Sequence, residues 1–173
     1  MLKKFLALTA ALFCLATTAK AEQNLTFDEK NTVVLRGEVD GKSVAEAQLA
    51  IMQFPGKELY LVISSPGGSV MAGAQLADTI RNSDKNIKCV ATFAASMAFA
   101  ILESCDERYV LDSSLIMQHV MSYGIEGQEP NNWSMANALH RMNRKMDEQQ
   151  AKRIGIPYAD FRAKVRDDWW LLG

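Results

Sequence analysis

The stretch that most restricts the fold is ELYLVISSPGG, residues 58–68. Leu59 to Ile63 is an unbroken apolar run of strand length. A strand without polar alternation suits a position covered on both faces, as in the parallel sheets of α/β proteins. Parallel strands cannot be joined by tight hairpins and need crossover connections, usually helices. The run ends in Ser65-Pro66-Gly67-Gly68, a turn that cannot be helix. A chain built around such a strand must supply a helix on either side of it.

Both flanks carry that pattern. Thr32 to Val39 has the alternation and β-branching of a strand, and Ser43 heads a helical segment, SVAEAQLAIMQF, in which Val44, Ala47, Leu49 and Met52 share a face. Ser43 and Glu46 read as a capping box. Beyond the turn, Ser69 to about Arg81 is helical, Ile87 to Thr92 is a strand, and Met97 to Glu103 is a short helix. Arg108–Leu111 and Leu115–Gln118 read as two strands around the turn residues Asp112-Ser113. Met121–Asn132 reads as a loop, Trp133 to about Arg153 as one long helix, and Tyr158–Val165 as a last short helix. Strands alternating with helices imply parallel βαβ units and an α/β core.

Residues 1–21 have the pattern of a signal peptide: Lys3 and Lys4, an apolar stretch from Phe5 to about Ala16, and Ala19-Lys20-Ala21 as an A-x-A cleavage signature. That stretch is short for a membrane span, and Phe13 is too bulky to precede a lipid-modified Cys14. The expected mature chain, 22–173, is therefore periplasmic or secreted. Its roughly 150 residues form one domain. Nineteen basic residues against twenty acidic ones give no nucleic-acid signature, and no later segment is apolar enough to hold the chain in a membrane. Cys89 and Cys105, 16 residues apart, lie in a compartment that permits disulfides; they are either bonded or two buried thiols.

In parallel α/β proteins, functional groups collect where strands end and helices begin. The Gly67-Gly68 turn exposes amide N–H groups able to bind an anion or a developing oxyanion, or it is structural only. No Gly-Lys-Ser/Thr follows, so it is not a Walker loop. Ser96 is either the N-cap of the short helix or a nucleophile with the Met97 N–H beside it. Of the histidines, His140 falls mid-helix, whereas His119 ends a strand, where a base would have to be. Asp167 and Asp168, in RDDWW, are the available carboxylates, and their chemistry does not separate them.

Three segments, ELYLVISSPGGSVMAGAQLADTI, FAASMAFAILESCDERYVLDSSLIMQHV and VRDDWW, resemble in order and spacing the Clp-protease proteolytic subunit family of the Clp/crotonase superfamily. The resemblance covers roughly residues 30–170. It implies an α/β fold of repeated ββα units with a protruding long helix. It also implies a serine peptidase with Ser96 as nucleophile, His119 as base, Asp167 as acid (it follows the arginine), and the Gly68 and Met97 amides as oxyanion donors. Neither cofactor nor metal is implied. The substrates would be peptides or unfolded chains, and the long helix would serve a homo-oligomeric ring.

Three features depart from the family pattern. Family members are fed by ATP-driven unfoldases, but ATP is not normally available outside the cytoplasm, so an unfoldase partner is not expected. Ala98 and Phe99 stand where a glycine soon follows the nucleophile, and a bulky Phe99 would narrow the site. The sequence stops at Gly173, where the family continues with a helix and strand. A non-peptidase binding or assembly module on this fold, or another serine acyl hydrolase, remains open. A strand running up to Ser96 and a helix running back would bring Cys89 and Cys105 together at the far end, so a disulfide between them is expected.

Overall fold

The computed structural model describes residues 25–26 and 28–173; the leader assigned to residues 1–21 lies outside them. Four strands alternate with helices: β1 (Thr32–Arg36), α1 (Gly41–Gln53), β2 (Glu58–Ser65), α2 (Val70–Arg81), β3 (Asn86–Ala95), α3 (Met97–Leu102) and β4 (Glu107–Gln118). The long α4 (Glu129–Ile154), α5 (Tyr158–Val165) and β5 (Trp169–Leu172) complete the chain. The sheet runs β1-β2-β3-β4-β5, parallel throughout except for the antiparallel β5. Among the described residues, no helix is long and apolar enough to cross a membrane.

The core lies between the sheet and α1, α2 and α3. Leu59, Leu61 and Ile63 of β2 are wholly buried on this face, as are Ile87, Cys89 and Ala91 of β3. The opposite face of β2, Tyr60, Val62 and Ser64, is only half-buried, so full cover is one-sided. Charge accompanies the open side: Lys88 lies 3.5 Å from both Glu58 and Glu107 on the neighbouring strands.

Three local expectations shift. Helix α1 is capped by Asp40, not Ser43: the Asp40 carboxylate accepts from the Ser43 amide at 2.7 Å, and Ser43 Oγ accepts from the Asp40 amide at 3.0 Å. Ser43 thus fills the third helical position of the box. Asp112-Ser113 does not divide two strands. β4 is continuous and bulges there, with Val110 paired to Ala91 and Leu115 to Phe93, and Ser114 Oγ donates to the Ala91 carbonyl at 2.8 Å. Helix α4 starts at Glu129, because Pro130 falls in its first turn, where a missing N–H costs nothing. At its other end Gly155 takes the left-handed conformation, φ 84°, and stops it. No residue in the first half of α4 is buried, and Trp133 and His140 are exposed.

Cys89 and Cys105 form a disulfide, with Cα atoms 5.9 Å apart. It ties the body of β3 to the segment just after α3, so the loop it closes contains the whole Ser96 junction.

Candidate active site

Ser96 is the single residue between β3 and α3, and it turns the chain with φ 55° and ψ −121°. A positive φ is rare for a residue with a side chain and persists only where its surroundings hold it. Here the Ser96 N–H donates to the Met117 carbonyl of β4 at 2.9 Å, and the Ser96 carbonyl accepts from Phe99 and Ala100 at 3.1 and 3.3 Å. The hydroxyl makes no capping bond to α3. It meets His119 Nε2 at 2.7 Å instead, which decides against the N-cap reading.

His119 directly follows β4, beside the end of β3, so adjacent parallel strands deliver the two side chains to the same edge. Its backbone N–H donates to Gln118 Oε1 at 3.0 Å, and Gln118 Nε2 donates to Gln150 Oε1 on α4 at 2.5 Å. On the other side of the ring, Nδ1 lies 3.9 Å from Asp168 Oδ1. That is ion-pair range, longer than a hydrogen bond. Asp167, the acid implied by the resemblance, is not beside His119. Its Oδ2 accepts from Arg166 Nε and Nη2 at 3.0 and 2.9 Å, facing solvent. The reason is the ladder. β5 pairs antiparallel with β4, and the ladder ends at Gln118 opposite Trp169, so His119 and Asp168 are the residues that flank its last rung. Asp168 is also the turn residue, with φ 53°.

The Gly67-Gly68 turn is pinned from both sides. Val39 N–H donates to the Gly67 carbonyl at 2.8 Å, and Ser69 N–H donates to the Val39 carbonyl at 2.7 Å. This parallel bridge leaves the Gly68 N–H pointing away from Val39. Gly67, φ 95°, lies so close to the junction that a Cβ would sit 2.8 Å from Ser96 Cβ and 2.9 Å from the Met97 nitrogen. The turn therefore presses directly on the Ser96 junction. The Met97 N–H belongs to the open first turn of α3. Met97 itself is locked against Gly73, where a Cβ would meet its Cγ at 2.3 Å. Phe99 is buried in the core and does not wall the cleft. His140 is exposed on α4 and does not line the cleft.

The sequence model of the Clp protease family matches residues 18–173. The chain belongs to the Clp protease family. It is 34% identical over 148 residues to the ATP-dependent Clp protease proteolytic subunit 3 of Rhodococcus jostii (strain RHA1), a match covering 82% of this chain and 73% of that one.

Sequence reasoning missed the far wall of this Clp protease family cleft. Asn143, Met146, Asp147 and Gln150 come to it from α4. Their spacing puts them on one helix face, but three of the four are polar, so hydrophobic periodicity does not reveal a buried face. Asp147 Oδ2 accepts from Arg162 of α5 at 2.7 Å and from Asn143 at 3.3 Å. Burial raises the Asp147 carboxyl above its ordinary range, and the Arg162 guanidinium opposes that shift. This pair ties α4 to the helix that leads into Asp168.

Proposed function

We propose that the chain is an exported serine peptidase of the Clp protease type, hydrolysing peptides and unfolded polypeptides without an ATP-driven unfoldase. The observation that carries this reading is the 2.7 Å contact between Ser96 Oγ and His119 Nε2 at a strained strand-to-helix turn. With Nδ1 carrying the hydrogen, Nε2 accepts the Ser96 proton as Oγ attacks the peptide carbonyl. The Asp168 carboxylate orients the ring and stabilises the imidazolium. The Gly68 and Met97 amides take the oxyanion. His119 then protonates the leaving amine, and water, deprotonated by the same ring, releases the acyl-enzyme.

Export is supported by the A-x-A pattern at 19–21 and by the buried cysteine pair, which suits an oxidising compartment. The Rhodococcus relative is named as ATP-dependent; the export pattern argues against carrying that dependence over. The exposed first half of α4, with Trp133 66% and Met135 53% accessible, suits a helix that packs against other copies of the chain. The test is release of peptides from fluorescently labelled, unfolded casein, with and without ATP. Cleavage at equal rates in both is expected. No cleavage in either, or strict dependence on ATP, would overturn the reading.

A further inference from the structure

Gln118 stands between the two peptide units that fix the Ser96–His119 pair. The Met117 carbonyl before it accepts the Ser96 N–H at 2.9 Å, and the peptide unit after it carries the His119 N–H. The two backbone torsions of Gln118 therefore set the base against the nucleophile. The sheet gives out at this point. The β4–β5 ladder ends at Gln118 opposite Trp169, and beyond it Val120 N–H donates to the Val165 carbonyl at 3.1 Å. Between these two ties, the His119 N–H donates to Gln118 Oε1 at 3.0 Å. The base is held here by a side chain rather than by a strand.

The amide has one workable orientation. A backbone N–H only donates, so Gln118 turns its oxygen to His119 and its Nε2 to Gln150. Gln150 accepts with Oε1 at 2.5 Å and donates its own Nε2 to the Met146 carbonyl at 3.3 Å. Three hydrogen bonds thus run in one direction, from the base to the backbone of α4. Both glutamines are buried, so water does not compete for these bonds. The far end is a firm anchor. Asp147, on the same stretch of α4, pairs with Arg162 of α5 at 2.7 Å, and Arg153 donates to the Cys105 and Asp106 carbonyls.

We infer that Gln118 is a positioning residue for the reaction: through Gln150 it ties the backbone of His119 to α4 and so holds Nε2 on Ser96 Oγ at 2.7 Å. A methionine in its place matches its length and fills the space without an acceptor. The His119 N–H is then released, and the peptide unit is free to turn and carry the ring off the hydroxyl. A glutamate keeps an acceptor at the same reach, and its cost falls on stability, because it buries an ionisable group. Catalysis and stability should therefore rank these two variants in opposite orders.

This role rests on the Ser96–His119 pair of the peptidase reading, and its test keeps the two apart. Gln118→Met, Gln118→Glu and Gln150→Met are compared with wild type in three measurements. These are kcat and KM on the fluorogenic peptide that wild type cleaves fastest, the rate of fluorophosphonate labelling of Ser96, and Tm. Gln118→Met is expected to lower kcat and the labelling rate together by a factor on the order of 10–10², the scale of a displacement of about 1 Å, with KM unchanged. Gln118→Glu should label about tenfold faster than Gln118→Met while melting at a lower temperature. Gln150→Met, which frees only the far end, should fall between Gln118→Met and wild type. Should Gln118→Met fail to fold, slowed labelling of Gln150→Met decides instead. Labelling rates that follow Tm, with Gln118→Glu slowest, or that match wild type throughout, overturn the positioning role and leave the peptidase reading standing. Wild type that is labelled on Ser96 yet cleaves no peptide overturns the peptidase reading, and the labelling rates still decide the role of Gln118. Wild type that takes no label overturns both.

Discussion

The Asp168 carboxylate stands 3.9 Å from His119 Nδ1, on the edge of the ring opposite Ser96, while Asp167 is turned away onto Arg166. Asp168→Asn should therefore lower kcat by a factor on the order of 10³–10⁴, the scale for losing the carboxylate that orients a catalytic histidine. Asp167→Asn should stay within about threefold of wild type, as surface changes do. Steady-state peptide hydrolysis by the two single variants checks this, and the reverse ranking would return the acid role to Asp167.

Gly67 has no room for a side chain, since a Cβ would lie 2.6 Å from the Ala95 carbonyl and 2.8 Å from Ser96 Cβ. Gly67→Ala must push the turn and the Ser96 junction apart, moving the Met97 amide off the oxyanion position. A loss on the order of 10²–10³ in kcat is expected, as for removal of one oxyanion donor. Gly124→Ala, where nothing lies within 4 Å, is the matched control and should be close to neutral.

The Cys89–Cys105 bond closes a loop of 16 residues' separation around β3, Ser96 and α3. Constraining that loop should contribute about 3 kcal/mol. Cys105→Ser should then lower Tm by roughly 6–12 °C for a domain of this size. Thiol titration of the unfolded protein before and after reduction should show a gain corresponding to this one bond. An unchanged thiol count would refute the bond.

Arg162, 36% exposed, pairs with the buried Asp147. Arg162→Met should destabilise by about 2 kcal/mol near neutral pH, below the roughly 3–5 of a fully buried broken pair because solvent reaches the guanidinium. Burial already raises the Asp147 carboxyl above its ordinary 3.8, and losing Arg162 raises it further. A carboxyl raised in the folded state stabilises fully in acid and loses that contribution as pH climbs through its folded value. The deficit of Arg162→Met should thus be smallest near pH 3.8 and widen toward neutrality. Thermal melts across that range measure it, and a deficit independent of pH would contradict it.

The approach of Ser96 and His119 is legible in the sequence because both stand at the ends of neighbouring parallel strands, which apolar runs and turn residues reveal. The choice between Asp167 and Asp168 is not legible. It turns on a one-residue step in the β4–β5 register, set by long-range pairing that no local pattern encodes. The Asp112-Ser113 pair reads as a turn because bulges and turns use the same residues. The start of α4 is hidden because proline signals a break and yet is welcome in a first helical turn. Gln118, Gln150 and Asp147 escape notice because a buried polar network looks like an exposed face.

The central claim is that Ser96 is a nucleophile activated by His119. The most direct measurement is covalent labelling by a fluorophosphonate probe, with the modified residue located by peptide mass spectrometry. The account predicts one adduct, on Ser96, absent in Ser96→Ala and strongly slowed in His119→Ala. Correctly folded wild-type protein that takes no label, or takes it elsewhere, would contradict it.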